Sequence, residues 1–144
     1  MRYTETEAAK QAAREKRKAL NTTREIDTKI GVVPPKGTGA RTFVAQQTID
    51  QIGRANILAV SGGRITFLYK GKTTRSTSLV GLEFPVDRDH SVRVFLAHDD
   101  TYTVQRLQGN EAVGTEEDLY FFNVGDAVYR AGMYHTTSFG KDVR

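Results

Sequence analysis

Two short stretches hold the residue types that bind metals or move protons. Asp87, Asp89 and His90 lie in Pro85-Val-Asp-Arg-Asp-His90, and His98, Asp99 and Asp100 follow in the next turn. Carboxylates with imidazoles suit Mg2+ or Mn2+, and such an ion would polarise a phosphodiester oxygen and acidify a bound water. Both stretches are also ordinary turn sequences, in which Asp bonds its own backbone, and that reading is preferred. A phosphate-cradling loop requires Gly-x4-Gly-Lys-Ser/Thr after a strand; Gly37-Thr-Gly39-Ala-Arg41 lacks the spacing, the lysine and the strand. Ser61 stands in Ser-Gly-Gly rather than Gly-x-Ser-x-Gly, and His90, His98 and His135 have no partner at a diagnostic spacing. The sequence has no cysteine, which excludes thiolate zinc sites, disulfides and a thiol nucleophile. The expectation is a protein without catalytic residues, metal ligands or cofactor.

The other chemically suggestive feature is a row of cations. Lys10, Arg14, Arg17 and Lys18 fall at i, i+4, i+7 and i+8, one face of a helix predicted over residues 4–20 from its alanines and a Thr4–Glu7 capping box. Arg24 and Lys29 extend the basic character. Residues 1–41 carry ten Lys and Arg against five Asp and Glu, whereas residues 42–144 carry eleven against twelve. All of the net charge of +4 therefore comes from the first part. These six cations suit nucleic-acid phosphates or an acidic protein surface. Interleaved Glu5, Glu7, Glu15 and Glu25 dilute the field, and no aromatic residue stands among the cations of the stripe. Residues 31–39, with Pro34 and Pro35 between glycines, read as a linker. The predicted organisation is a basic helical arm and linker over 1–41 and a compact domain over 42–144.

The elements that would position any site follow from periodicity. Ala45, Ile49 and Ile52 predict a helix over 43–53, with Thr42 as its cap and Gly53 as its end. Strands are predicted over 56–60, 64–69, 77–84, 91–97 and 101–108, the first two joined as a hairpin by Ser61-Gly-Gly63. Residues 109–118 read as an acidic loop. A final helix is expected over 119–133, with Phe121, Val124, Val128 and Ala131 on its apolar stripe. Tyr102, Tyr120, Phe121, Phe122, Tyr129 and Tyr134 could form a base-stacking platform, but at helical spacing they read as core with tyrosines at the rim. The fold class is α+β: an antiparallel meander of about five strands flanked by an N-terminal and a C-terminal helix, preceded by the arm. Apolar runs such as residues 56–60 fall far short of the ~20 residues of a membrane span, and no apolar signal region opens the chain.

In order and spacing, Gln51-Ile-Gly53, Ser61-Gly-Gly-Arg64, Gly81-Leu-Glu-Phe84, Val92-Arg-Val94, Asp100-Thr-Tyr-Thr-Val104 and Ala131-Gly-Met-Tyr134 resemble a family of small bacteriophage and mobile-element proteins. Members of that family read QIGG, TGA with a basic residue, GL-x-F, V-R-I, D-L-Y-D-V and TGLY. Thr103 and Gly63 depart from the pattern. The resemblance spans about residues 44–136, implies the helix, sheet, helix order, and brings no catalytic or binding residues with it. It transfers no activity; the function expected of the chain is that of a non-enzymatic phage or mobile-element accessory protein that binds a host or phage macromolecule, as an inhibitor of a host or defence factor or as a minor virion component. Its expected location is the host cytoplasm or the virion. The expected partner is a host or phage protein, with self-association a further option. The alternative is nucleic-acid binding through Lys10, Arg14, Arg17, Lys18, Arg24 and Lys29; a small metal-dependent phosphodiesterase ranks below both.

Overall fold

Alternation along β4 (His90–Leu96) buries Val92, Val94 and Leu96 on one face of a sheet. The computed structural model, which describes residues 25–72, 78–133 and 139–140, carries that face across six strands. They lie in sequence order: β1 (Glu25–Lys29), β2 (Arg64–Tyr69), β3 (Leu79–Pro85), β4, β5 (Tyr102–Gln108) and β6 (Glu111–Leu119). From β2 to β6 the pairing is antiparallel, a five-stranded meander, while β1 adds in parallel to β2. A parallel pair cannot be closed by a hairpin. The β1–β2 connection accordingly carries two helices, α1 (Ala45–Ile52) and α2 (Arg54–Ser61), and α3 (Val124–Gly132) packs beside them. Ile49, Ile52, Ile57, Val60, Val124, Ala127 and Val128 from the helices meet Ile65, Leu82, Phe84, Val92, Val94 and Val104 from the strands in one core.

The fold class is as expected from the sequence, an α+β domain with a largely antiparallel sheet, but its membership differs. Residues 56–60, read as a strand, belong to α2: a five-residue apolar run has no period of its own, and the glycines at both ends close it as a helix. Gly53, at φ 94, turns the chain directly from α1 into α2. Gly62, at φ 65, caps α2, so Ser61-Gly-Gly63 is a helix end rather than a hairpin, with the Ser61 hydroxyl spent on the Ile57 and Arg64 carbonyls. Thr42 does not cap α1, whose N-cap is Val44. Residues 109–118, read as a loop, form most of β6, and the last helix begins at Val124 instead of residue 119.

The chain before α1 is also built in where it is described. Residues expected to be arm supply β1. Residues expected to be linker cross the sheet as a strap: the Val32 N–H donates to the Tyr69 carbonyl, and the Gly39 and Ala40 N–H groups donate to the Leu96 carbonyl. Val32 closes a second small cluster with Leu68, Val80 and Phe95. Gly81 lies between Leu68 and Phe95 in the ladder, and a Cβ there would fall 2.8 Å from the Phe95 ring. The helical arm over residues 4–20, with Lys10, Arg14, Arg17, Lys18 and Arg24, lies outside the described residues, as do Tyr134 and His135.

Candidate protein-docking site

The passage from β6 to α3 is fixed at both ends. Leu119 and Val124 are buried, and only four residues join them. The Tyr120 carbonyl accepts hydrogen bonds from the N–H groups of Asn123 (3.1 Å) and Val124 (3.0 Å). The Asn123 side-chain oxygen accepts the Tyr120 N–H at 2.7 Å. Asn123 is the N-cap of α3, yet its side chain reaches backward to close the turn rather than forward into the helix. A turn so pinned has nowhere inward to place three large rings. Tyr120, Phe121 and Phe122 stand 53%, 64% and 71% exposed, the reverse of the core role expected for Phe121. They pack on one another: the Tyr120 and Phe122 rings stack at 5.6 Å between centroids, and Phe121 meets Phe122 edge-on at 5.3 Å.

Beside the turn a cavity of about 450 Å3 opens between α1 and the strand ends, lined by Val44, Gln47, Gln51, Asp100, Tyr102 and Phe121, among others. Tyr102, at the start of β5, is buried, and its hydroxyl donates to Gln51 Oε1 at 2.6 Å and lies 3.3 Å from Thr48 Oγ1. Burial pushes this phenol above its ordinary pKa, so it acts as a neutral donor that ties β5 to α1.

The far side of α3 is held by a charged network. Arg106, buried on β5, donates to the carbonyls of Arg130 (2.7 Å) and Ala131 (2.8 Å), where the helix end is negative and in need of donors. Arg130 pairs with both Glu116 oxygens at 2.6 and 2.8 Å and with Asp126 at 2.8 Å. The guanidinium holds the Glu116 carboxyl below the usual carboxylate range. The Phe139 ring lies buried against both guanidinium groups, each 5.6 Å from its centroid. This network anchors α3, and with it the downstream end of the aromatic turn.

The residues with metal-ligand character are not brought together. Asp87 accepts the N–H groups of Asp89 (2.8 Å) and His90 (2.9 Å) and pairs with the His90 ring at 2.8 Å. Asp99 accepts the Thr101 hydroxyl at 2.7 Å and its N–H at 3.2 Å. The Asp89 N–H above all, with the His90 ring, lowers the Asp87 pKa, and the Thr101 hydroxyl with its N–H lowers that of Asp99. The two turns sit at opposite ends of β4, about 25 Å apart at ~3.3 Å per residue. Among the described residues no group of three or more His, Cys, Asp or Glu could hold a metal ion. Of the six expected binding cations only Lys29 is described, and it pairs at 2.9 Å with the buried Glu83, which also takes Arg93 Nε at 2.7 Å. No helix among the described residues is long and apolar enough to cross a membrane.

Sequence reasoning singled out the rings of Tyr120, Phe121 and Phe122 but put them on a helix. Asn123, preceding a strongly apolar stripe, was the available signal that the helix starts after them. No family model, no curated protein and no solved structure matches the chain.

Proposed function

We propose that this chain is a non-enzymatic accessory protein of a bacteriophage or mobile element, and that it binds a host or phage protein through the Tyr120-Phe121-Phe122 turn. The observation that carries this reading is a locked turn presenting three consecutive exposed aromatic rings at the mouth of a cavity. Isolated exposed apolar residues are ordinary on a protein surface, but contiguous ones mark interaction sites. Aromatic anchors dominate binding energy at protein interfaces, and anchors fixed before binding avoid much of the ordering cost. The packing of these rings on one another, with both ends of the turn bonded, supplies that fixing. Such a module works as an inhibitor of a host factor or as a minor virion component, in the host cytoplasm or the assembled particle.

The test is the double substitution Phe121→Ser with Phe122→Ser. Proteins captured by the wild-type chain from its host are identified, purified and titrated against both forms. The expected result is an unchanged melting temperature and a loss of affinity of about thirtyfold or more, the scale of an interface hot spot. Equal affinity of both forms would reject the turn as the docking element.

The charge asymmetry of the chain supports a second reading, nucleic-acid binding through Lys10, Arg14, Arg17, Lys18 and Arg24. The two readings separate by salt. Binding through the cations falls steeply with log salt, whereas docking on the rings responds weakly.

A further inference from the structure

The cavity beside the aromatic turn has a one-sided chemistry. The residues that line it include one carboxylate residue, Asp100, the amides Gln47 and Gln51, the hydroxyl residues Thr42 and Tyr102, and the aromatic residues Tyr120 and Phe121. Among the described residues that line it none is a Lys, Arg or His. Asp100 is set by the turn after β4, at φ 66 with its N–H on the Ala97 carbonyl, and its carboxylate has no hydrogen bond or ion pair among the described residues. Gln51 Oε1 takes the Tyr102 hydroxyl and keeps a second lone pair. A carboxylate and two exposed aromatic residues lining one recess, with no cation among its described lining residues, are complementary to a planar cation that stacks and donates at once.

We infer that this cavity receives the guanidinium of an arginine side chain presented by the protein partner, with Asp100 as its counter-ion and Tyr120 and Phe121 as its stacking walls. This rests on the docking reading above and names what the partner must carry: an arginine beside the apolar surface that covers Phe122. Ammonium groups fit less well, because a lysine offers a compact point charge, whereas a guanidinium both stacks on rings and donates several hydrogen bonds to a carboxylate and amides.

The probe is the tripeptide acetyl-Leu-Arg-Leu-amide, titrated into the full chain and followed by the aromatic ring signals of Tyr102, Tyr120 and Phe121. The control carries citrulline, which keeps the shape and loses the charge. The arginine peptide is expected to bind saturably in the ~1–10 mM range, and the citrulline peptide about tenfold more weakly or not at all. Asp100→Asn and Phe121→Ala are each expected to weaken binding by about two- to fivefold, the range of solvent-reached ion pairs and cation–π contacts. Equal binding of the two peptides, or saturable shifts that leave these three rings unmoved, would overturn the inference. Movement of the same ring signals, without peptide, when Lys10, Arg14, Arg17 and Lys18 are all changed to Gln would assign the cavity to the chain's own cations and overturn it as well. If the arginine peptide fails while Phe121→Ser with Phe122→Ser still abolishes partner binding, the cavity inference falls and the docking turn stands.

Discussion

Gly125, in the first turn of α3, is where helix propensity and packing make opposite demands. Alanine in a helix is favoured over glycine by up to about 1 kcal/mol, so on propensity alone Gly125→Ala stabilises the protein. The structure argues otherwise. A Cβ at this position would lie 2.5 Å from the Ile52 carbonyl oxygen and 2.8 Å from Asn56 Nδ2. Neither neighbour yields easily: the carbonyl ends α1, and the Asn56 amide is committed to it at 2.7 Å. Overpacking of this kind costs about 1–3 kcal/mol, so the net expectation is a destabilisation of up to roughly 2 kcal/mol after a propensity gain of about 1 kcal/mol is subtracted. Because α3 must back away from the α1–α2 corner, the aromatic turn three residues upstream shifts with it, and partner affinity falls too. Urea unfolding of the wild-type and Gly125→Ala chains, fitted with a common slope, gives the first number. A variant more stable by about 0.5–1 kcal/mol would show that propensity prevails and that the close approach of α3 has been misjudged.

Other consequences are as direct. Arg106→Met removes the side-chain donors to the Arg130 and Ala131 carbonyls, the first of which also accepts the Met133 N–H, and is expected to cost about 1–3 kcal/mol in urea unfolding, the scale of losing a donor to a buried acceptor; a neutral result would show that the carbonyls find other donors. Glu116 is held below its ordinary pKa of 4.5 by Arg130, so its contribution to stability is complete above that value and disappears as pH falls through the folded-state value. Glu116→Gln should therefore flatten the loss of melting temperature between about pH 5 and pH 3, and an acid profile unchanged by the substitution would contradict the assignment. Phe122→Ser, at the most exposed ring, is expected to alter stability by no more than about 0.5 kcal/mol, and a larger loss would mean that the ring supports the fold. Addition of millimolar Mg2+ or Mn2+ should leave the melting temperature unmoved, since the carboxylates of Asp87 and Asp99 are already committed to their turns.

The parts of the fold legible in the sequence are those where one period dominates. Val92, Val94 and Leu96 alternate and form β4; Ala45, Ile49 and Ile52 recur at helical spacing and form α1. The parts that were not legible have local signals that point elsewhere. Residues 56–60 are apolar without a period, and only their glycine boundaries and their place in the β1–β2 crossover make them helical. β6 contains Glu116, Glu117 and Asp118, poor strand formers, yet it closes the sheet because β5 offers a ladder and Arg130 neutralises Glu116. The short alternation in Glu25–Lys29 gives no sign of a strand until β2 is there to pair with it in parallel. The site lies at one of these illegible joints. The apolar stripe of α3 continues backward through Phe121 at helical spacing, and it is the turn closed by Asn123, anchored between the buried Leu119 and Val124, that sets the three rings outward.

The most direct measurement is site-specific photocrosslinking in the host cell, with benzoylphenylalanine placed in turn at residue 122, at residue 18 in the basic stripe, and at residue 88 in the exposed turn at the far end of β4. The docking account expects a discrete protein adduct from residue 122 that the Phe121→Ser substitution abolishes, and none from residue 88. An absent protein adduct at residue 122, with efficient crosslinking to nucleic acid from residue 18, would contradict it and move the chain's function to its basic stripe.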